Sequence, residues 1–299
     1  MSAPVSPSGP SSLDRSKLDL EIGVIYTYER SWMDPLLATM RDSLGDHRAG
    51  LLLVDNRSGE DVREWETYFP STKVIQNASR LGYAENLNRI LAASKAPLIL
   101  LLNTDIYFQP ENQCLAKMIR FMHEHPTCGL STCRAYHPDG TYGYPARKFQ
   151  SLRAIAGRRL GLEFLFRGDV DDYLFRHRDP EDTFECDWVS GCWMLVRRET
   201  FETIGGFDTI FGKYFEDVDY CLRVRQAGWR VMMHGQGFFY HYEQRASTNL
   251  FTKDAWQHGK SYLKWLRKWG PNPQKVIDRA PNKPPVAPLA TSKKKRKAA

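Results

Sequence analysis

The chain has 299 residues, 42% hydrophobic and 26% charged, enough to bury one large core or two fused ones, and no stretch approaches the apolar length of a membrane span. Its formal charge is +7, but Lys293, Lys294, Lys295, Arg296 and Lys297 supply five of those charges, so a nucleic-acid-binding globule is not indicated. Six cysteines without a Cys-x-x-Cys pair fit buried, reduced thiols in a cytoplasmic chain. Residues 1–12 are rich in Ser and Pro with no apolar signal core, and are expected to lie outside the fold.

Apolar runs at 21–28 and 50–56 end in polar residues and predict strands; 72–77 is a shorter one. Residues 97–102 are uninterrupted apolar and stop at Asn103-Thr104-Asp105. Between them, 34–44 carries Leu36, Leu37, Met40 and Leu44 at helical spacing, 60–69 reads as a helical stretch, and 83–94 carries Leu87, Ile90 and Leu91. Strand alternating with helix predicts an α/β protein, its parallel sheet covered by helices on both faces. No Gly-x-Gly-x-x-Gly follows the first strand and no P-loop occurs, which weakens the dinucleotide oxidoreductase and P-loop NTPase readings.

Ligands of such sheets bind beyond the carboxyl ends of the strands, where Asp105 falls. A hard divalent cation favours oxygen ligands, so Asp105 is a candidate metal anchor, although an Asp at a strand end also serves as a turn or helix cap. The segment 151–182 sets Arg153, Arg158, Arg159 and Arg167 beside Leu160, Leu162, Phe164, Leu165 and Phe166, and reads as a variable loop or helix. Trp188, Cys192 and Trp193 flank Gly191, whose missing side chain would admit a sugar or a metal loop. The Trp193 ring suits sugar stacking and, more simply, a core.

The run Tyr214 to Arg223 crowds Glu216, Asp217 and Asp219 into four positions. On a helix Glu216 and Asp219 share a face and Asp217 points elsewhere, so the carboxylates can do different jobs, with a cation or a proton expected nearby. Acids in a first helical turn would also simply complement the dipole. His241, between aromatics, reads by itself as a packed half-buried residue. Farther on, Tyr262, Trp265, Leu266 and Trp269 recur at helical spacing opposite Lys260, Lys264, Arg267 and Lys268. That pattern fits a helix lying on an anionic membrane, with the basic tail as a second attraction, and equally a terminal helix packed on the core. Pro271, Pro273, Pro281, Pro284, Pro285 and Pro288 mark an extended linker before the tail.

In order along the chain stand Val24-Ile25-Tyr26-Thr27-Tyr28-Glu29-Arg30, Val54-Asp55-Asn56-Arg57-Ser58, Gly82-Tyr83-Ala84 with Asn88, and Leu101-Leu102-Asn103-Thr104-Asp105. Asp187-Trp188-Val189-Ser190-Gly191-Cys192-Trp193, Gly205-Gly206-Phe207-Asp208, the acidic run, Ala227-Gly228-Trp229 and His241-Tyr242-Glu243-Gln244-Arg245-Ala246-Ser247 follow. Over residues 22–247 this set resembles the family 2 inverting glycosyltransferases, most closely their rhamnosyltransferase-like branch. The resemblance implies a GT-A fold, a Rossmann-like, mostly parallel sheet flanked by helices.

It further implies that Thr27, Tyr28, Glu29 and Asp55 hold the base and ribose of a nucleotide-sugar, and that Gly82 and Asn88 lie in the segment closing over it. Asn103 and Thr104 precede Asp105, which matches the last residue of an Asp-x-Asp metal site for Mg2+ or Mn2+. His241 matches a position contacting metal or diphosphate, and Asp217 the general base. Asn103 departs from the pattern, its neutral oxygen implying weaker metal affinity. Arg245 and Ser247 could contact the diphosphate or lie in a solvated loop.

The implied layout is an N-terminal segment 1–17 and a GT-A domain 18–250, with a nucleotide-sugar half 18–110 and an acceptor half 111–250. An amphipathic helix 251–270 and a linker with basic tail 271–299 complete it. The implied activity moves a sugar from a dTDP- or UDP-sugar, with dTDP-rhamnose foremost, to a saccharide or lipid-linked acceptor for surface polysaccharide, in the cytoplasm or at the inner face of a membrane. A catalytically inactive nucleotide-sugar or glycan-binding module is the alternative; joint retention of Asp105, Asp217 and His241 argues against it.

Overall fold

The computed structural model describes residues 14–159, 161–242 and 253–278. Expectations for 1–13, for Arg245 and Ser247, and for the basic tail lie outside the described residues.

Four strands, β1 (Leu20–Tyr26), β2 (Ala49–Asp55), β3 (Thr72–Gln76) and β4 (Leu98–Leu102), form the parallel half of the sheet in the order β3-β2-β1-β4. Every residue of β2 and β4 is buried, which is why they read as continuous apolar runs rather than alternating ones. Helix α1 (Arg30–Asp42) buries Met33, Leu36, Leu37 and Met40. It starts four residues before the expected helix because its first turn is polar and carries no periodic signal. The expected helix at 60–69 is only a 3-10 turn, Arg63–Thr67, pinned by Trp65, whose Nε1 donates to Asp34 at 3.1 Å. Helix α2 (Tyr83–Ala93) matches its expected span.

The second half departs from strict alternation. Beyond β5 (Ile106–Tyr107) and α3 (Cys114–Glu124) come β6 (Cys128–Tyr136), β7 (Ala146–Arg147), α4 (Leu152–Arg159), α5 (Arg167–Tyr173), β8 (Phe184–Glu185) and β9 (Trp188–Val189). Then follow β10 (Trp193–Arg197), α6 (Arg198–Ile204), α7 (Glu216–Gln226), β11 (Arg230–His241), α8 (Lys253–Trp269) and α9 (Gln274–Asp278). The sheet continues β4-β10-β6-β11-β5, with β10 antiparallel to both neighbours and β6 parallel to β11. It is therefore mixed. One core lies on the α1 and α3 face; the other lies under α2, α7 and α8. Trp193 is fully buried and stacks on Phe239 at 5.8 Å, so it is a core residue.

The aromatic stripe of α8 is not a membrane face. Trp265 is 1% exposed, and Tyr262, Leu266 and Trp269 pack on the same core. Trp269 Nε1 donates to Asp219 Oδ1 at 2.7 Å and Lys268 Nζ reaches the same oxygen at 2.7 Å. Asp219, wholly buried, also accepts from Arg223 Nε at 2.9 Å. The third carboxylate of the acidic run thus fastens α8 to α7.

Candidate functional site

Chain ends converge at the carboxyl edge of β1, β2 and β4. After β1, Glu29 Oε2 accepts from the backbone N–H groups of Thr27 (3.1 Å) and Tyr28 (2.9 Å), fixing the turn. Tyr28 is left 59% exposed, with the Arg80 guanidinium 4.2 Å from its ring centroid, a flat platform at the rim. Asp55, buried at the end of β2, accepts from Ser58 N at 2.8 Å. Beside it a network that sequence reading missed sets the next loop. Asn56 Oδ1 accepts from Leu81 N and Asn77 Nδ2, both at 2.9 Å, and Asn77 Nδ2 also reaches Asn86 Oδ1 at 2.6 Å. These amides lie in different segments, so no local spacing reveals them. Gly82 opens α2, and its N–H is capped by Glu85 at 2.7 Å.

Asn88 needs correcting. Its Nδ2 donates to Phe207 O at 2.9 Å and its Oδ1 accepts from Phe207 N at 2.6 Å, so the amide is committed to the Gly206–Phe207 backbone and not to a nucleotide. A side chain on Gly206 would collide with it, which explains the glycine.

Past β4, Asn103 N donates to Cys192 O at 3.0 Å and Asn103 Oδ1 accepts from the Tyr83 hydroxyl at 2.9 Å. Asn103 can offer a ligand its N–H2, a donor for a sugar or phosphate oxygen, and the remaining lone pair of Oδ1. Thr104 is buried. Asp105 Oδ1 lies 3.3 Å from His241 Nε2, brought there by the pairing of β5 with the end of β11. That oxygen is buried and lacks a well-formed hydrogen bond, the condition in which a carboxylate accepts a cation. Burial opposes charge on His241, but Cys192 and Asp105 beside it prevail and lift its pKa to about 11; the imidazolium proton balances Asp105. Among the described residues no group of three His, Cys, Asp or Glu side chains is placed to hold a metal. Asp105 and His241 would be the protein's share, the cation displacing the imidazolium proton so that the neutral ring can ligate, with oxygens of a diphosphate supplying further ligands.

The acidic run meets this edge from the other side. Asp217 Oδ2 accepts from Gly191 N at 2.9 Å and Oδ1 from Val218 N at 2.8 Å. A side chain on Gly191 would lie 3.4 Å from Asp217, so the glycine permits close approach. Tyr83 ties the halves together: its hydroxyl lies 3.0 Å from Gly191 O and 2.9 Å from Asn103 Oδ1. The single hydroxyl proton is shared between these two acceptor oxygens, so Tyr83 bridges Asn103 and Gly191, whose own N–H donates to Asp217. Tyr83→Phe keeps the ring and is expected to lower kcat about tenfold while moving the melting temperature by only a few degrees; an unchanged kcat would remove Tyr83 from this coupling.

Burial raises the pKa of Asp217, while the two N–H donors and the Arg147 charge pull the other way. Glu216 is 6% exposed, its Oε2 has no partner, and burial followed by the Asp217 charge lifts its pKa to about 8. Burial thus raises both members of the pair, and the N–H donors of Gly191 and Val218 favour the anion on Asp217. The turn that delivers them is strained: Tyr214 and Phe215 have φ of 69° and 72°, a conformation costing about 1–3 kcal/mol each for such residues. Phe215 is held there by His258, Tyr262 and Trp265, at centroid distances of 5.1, 5.5 and 6.1 Å, so α8 buttresses the acidic site.

A cleft lined by Tyr136, Gly143, Pro145, Arg147, Ser190, Cys192 and His241 opens beside these groups. A roomier hollow on the β3 edge, lined by Lys73, Gln76 and Arg89, contains none of them.

The arrangement agrees with what is known of similar proteins. The profile of Glycosyl transferase family 2 matches residues 24–205. The N-acetylglucosaminyl-diphospho-decaprenol L-rhamnosyltransferase of Mycobacterium tuberculosis is 27% identical over 192 residues, 60% of this chain and 62% of that protein. Rhamnosyltransferase WbbL of Escherichia coli is 35% identical over 177 residues, 57% of this chain and 61% of that one. The chain thus spans less than two thirds of either relative. Among solved structures, the mannosyltransferase PcManGT of Pyrobaculum calidifontis, in complex with GDP-Man and Mn2+, superposes with a TM-score of 0.53 over 88% of this chain and 74% of its own, at 15% identity. GalNAc-T7 with UDP, GalNAc and Mn2+ gives 0.59 over 89% and 50%, at 12% identity. These likenesses establish the GT-A fold, and with the profile covering more than half of its length the chain belongs to glycosyl transferase family 2.

Proposed function

We propose that this chain transfers a sugar, with inversion, from a nucleotide-diphosphate donor to a hydroxyl of a saccharide or lipid-linked acceptor in surface polysaccharide assembly, with dTDP-rhamnose as the leading donor and a UDP-sugar as the second. The observation that carries the reading is the run of polar contacts from Asp217 to the Gly191 N–H and from the Gly191 carbonyl through the Tyr83 hydroxyl to Asn103, two residues from Asp105. It sets a base beside an anion-stabilising edge.

Tyr28 with Arg80, and Asp55, receive the nucleoside, and the Asn103 amide donates to a sugar or phosphate oxygen. Asp105 and His241 would hold Mg2+ or Mn2+, which when bound would supply Lewis-acid stabilisation of the departing diphosphate. Asp217 accepts the acceptor hydroxyl's proton as its oxygen bonds to the anomeric carbon and the bond from that carbon to the diphosphate breaks. Attack from the face opposite the leaving group inverts the anomeric centre. Both rhamnosyltransferase relatives and the two Mn2+ complexes support this assignment. A panel of dTDP-, UDP- and GDP-sugars, assayed for nucleoside diphosphate release with a short-chain N-acetylglucosaminyl-diphospho-lipid, tests it. Fastest release from dTDP-rhamnose is expected; no release from any donor would sink the reading.

Membrane contact, if any face provides it, belongs to the outer side of α8, where Trp256 and Leu263 are 71% and 63% exposed among Lys260, Lys264 and Arg267. No helix among the described residues is long and apolar enough to cross a membrane. Replacing Trp256 and Leu263 together by Ser is expected to weaken binding to anionic vesicles about tenfold, with the residual binding falling as salt rises. Equal binding by both proteins would exclude this face.

A further inference from the structure

Six aromatic side chains that no motif singled out gather beside the end of β11. The Tyr136 ring lies 5.7 Å from Tyr142, 5.9 Å from Phe238 and 6.3 Å from Tyr240. Tyr142 continues to Tyr144 at 4.8 Å, and Tyr240 to Tyr107 at 6.4 Å. All six are half-buried rather than enclosed. Pairing of β6 and β5 with β11 brings Tyr136 and Tyr107 to Phe238 and Tyr240, but does not account for the turn that brings up Tyr142 and Tyr144. Between β6 and β7, Tyr144 is held at φ 50°, fixed by Gly143 N–H to Ala135 O at 2.8 Å and by Arg147 Nε to its own carbonyl at 2.9 Å. A left-handed tyrosine persists only where its surroundings impose it, and such positions cluster at ligand sites.

The same turn forms one wall of the cleft. Tyr136, Gly143, Pro145 and Arg147 line it together with Ser190, Cys192 and His241, and Gly191, between Ser190 and Cys192, donates to Asp217. The rings therefore adjoin a cleft that is one residue from the base's hydrogen-bond donor. Five of the six are tyrosines, apolar on the faces and hydroxylated at the rim. A pyranose has the same division, with a C–H face and a hydroxyl edge. An acyl chain would call for Phe, Leu or Ile instead, and the nucleoside has its own platform at Tyr28 and Arg80.

We propose that Tyr136, Tyr142, Tyr144 and Tyr240 form the acceptor subsite, stacking the pyranose ring whose hydroxyl is presented to Asp217. The proposal rests on the glycosyl-transfer reading and adds what that reading lacks, the place and chemistry of acceptor recognition. Loss of one stacking ring is expected to raise acceptor KM about tenfold.

The test uses the full chain and a short-chain N-acetylglucosaminyl-diphospho-lipid as probe. Tyr142→Ala and Tyr240→Ala should each raise KM for the probe about tenfold and move KM for dTDP-rhamnose less than twofold. Tyr142→Phe and Tyr240→Phe, which keep the ring, should restore most of the affinity. Calorimetry of probe binding without donor gives a readout that does not need turnover. Probe KM and binding within twofold of wild type in both Ala variants, or donor KM rising in parallel, would overturn the subsite, as would a wild-type protein that hydrolyses donor but does not bind the probe. A wild-type protein that binds the probe through these rings yet turns over no donor would leave the subsite standing and sink the transfer reading.

Discussion

Asp217→Asn is expected to lower kcat about a hundredfold or more while leaving donor KM near the wild-type value. The substitution preserves shape, and an amide oxygen can still accept the Gly191 N–H, so the turn before α7 should survive. What disappears is the anion that takes the acceptor's proton. Neither neighbour can replace it. Asp219 is spent on Arg223, Lys268 and Trp269, and Glu216 holds its proton to about 8 because of its burial and then of the Asp217 charge. The sign of the pH dependence follows. Catalysis needs ionised Asp217, whose pKa is raised, so kcat/KM should climb with pH along an acid limb displaced upward from the ordinary carboxylate range, and that limb should vanish in the variant. Wild-type turnover by a folded Asp217→Asn protein would move the base to Glu216.

Asp105→Ala and His241→Ala should each weaken Mn2+-dependent binding of a nucleoside diphosphate by at least about tenfold. One side chain comes from the turn before β5 and the other from the end of β11, and they meet at 3.3 Å around a buried carboxylate oxygen that otherwise lacks a well-formed hydrogen bond. Asn103 Oδ1 already accepts from Tyr83 and is uncharged, so it should cushion the loss only in part. Calorimetry with dTDP and Mn2+ reads this without turnover. If chelation leaves binding and activity of the parent protein unchanged, the metal role assigned to this pair is wrong.

The parallel half was legible because β2 and β4 are buried on both faces and write themselves as apolar runs ending at Asp55 and Asn103. The mixed half was not, since β10 enters antiparallel between β4 and β6, and short apolar segments carry no signal of direction. The crowded run marked Glu216, Asp217 and Asp219 together and only the resemblance singled out Asp217, while Gly191, which donates to it, is distant in sequence. The same distance hid the true employment of Asn88. Periodicity correctly found the aromatic stripe of α8 and could not say what covers it; the buried Asp219 and the strained Phe215 show that α7 does. Residues recognised by pairing across the fold, such as Tyr136 with Tyr142, leave no spacing to read.

The central claim is direct displacement at the anomeric carbon with Asp217 as base, and the anomeric configuration of the product tests it most directly. With dTDP-rhamnose as donor and a short-chain N-acetylglucosaminyl-diphospho-lipid as acceptor, the one-bond carbon–hydrogen coupling at the new anomeric centre should report a configuration opposite to the donor's. Retention of the donor configuration would contradict single displacement and the role given to Asp217.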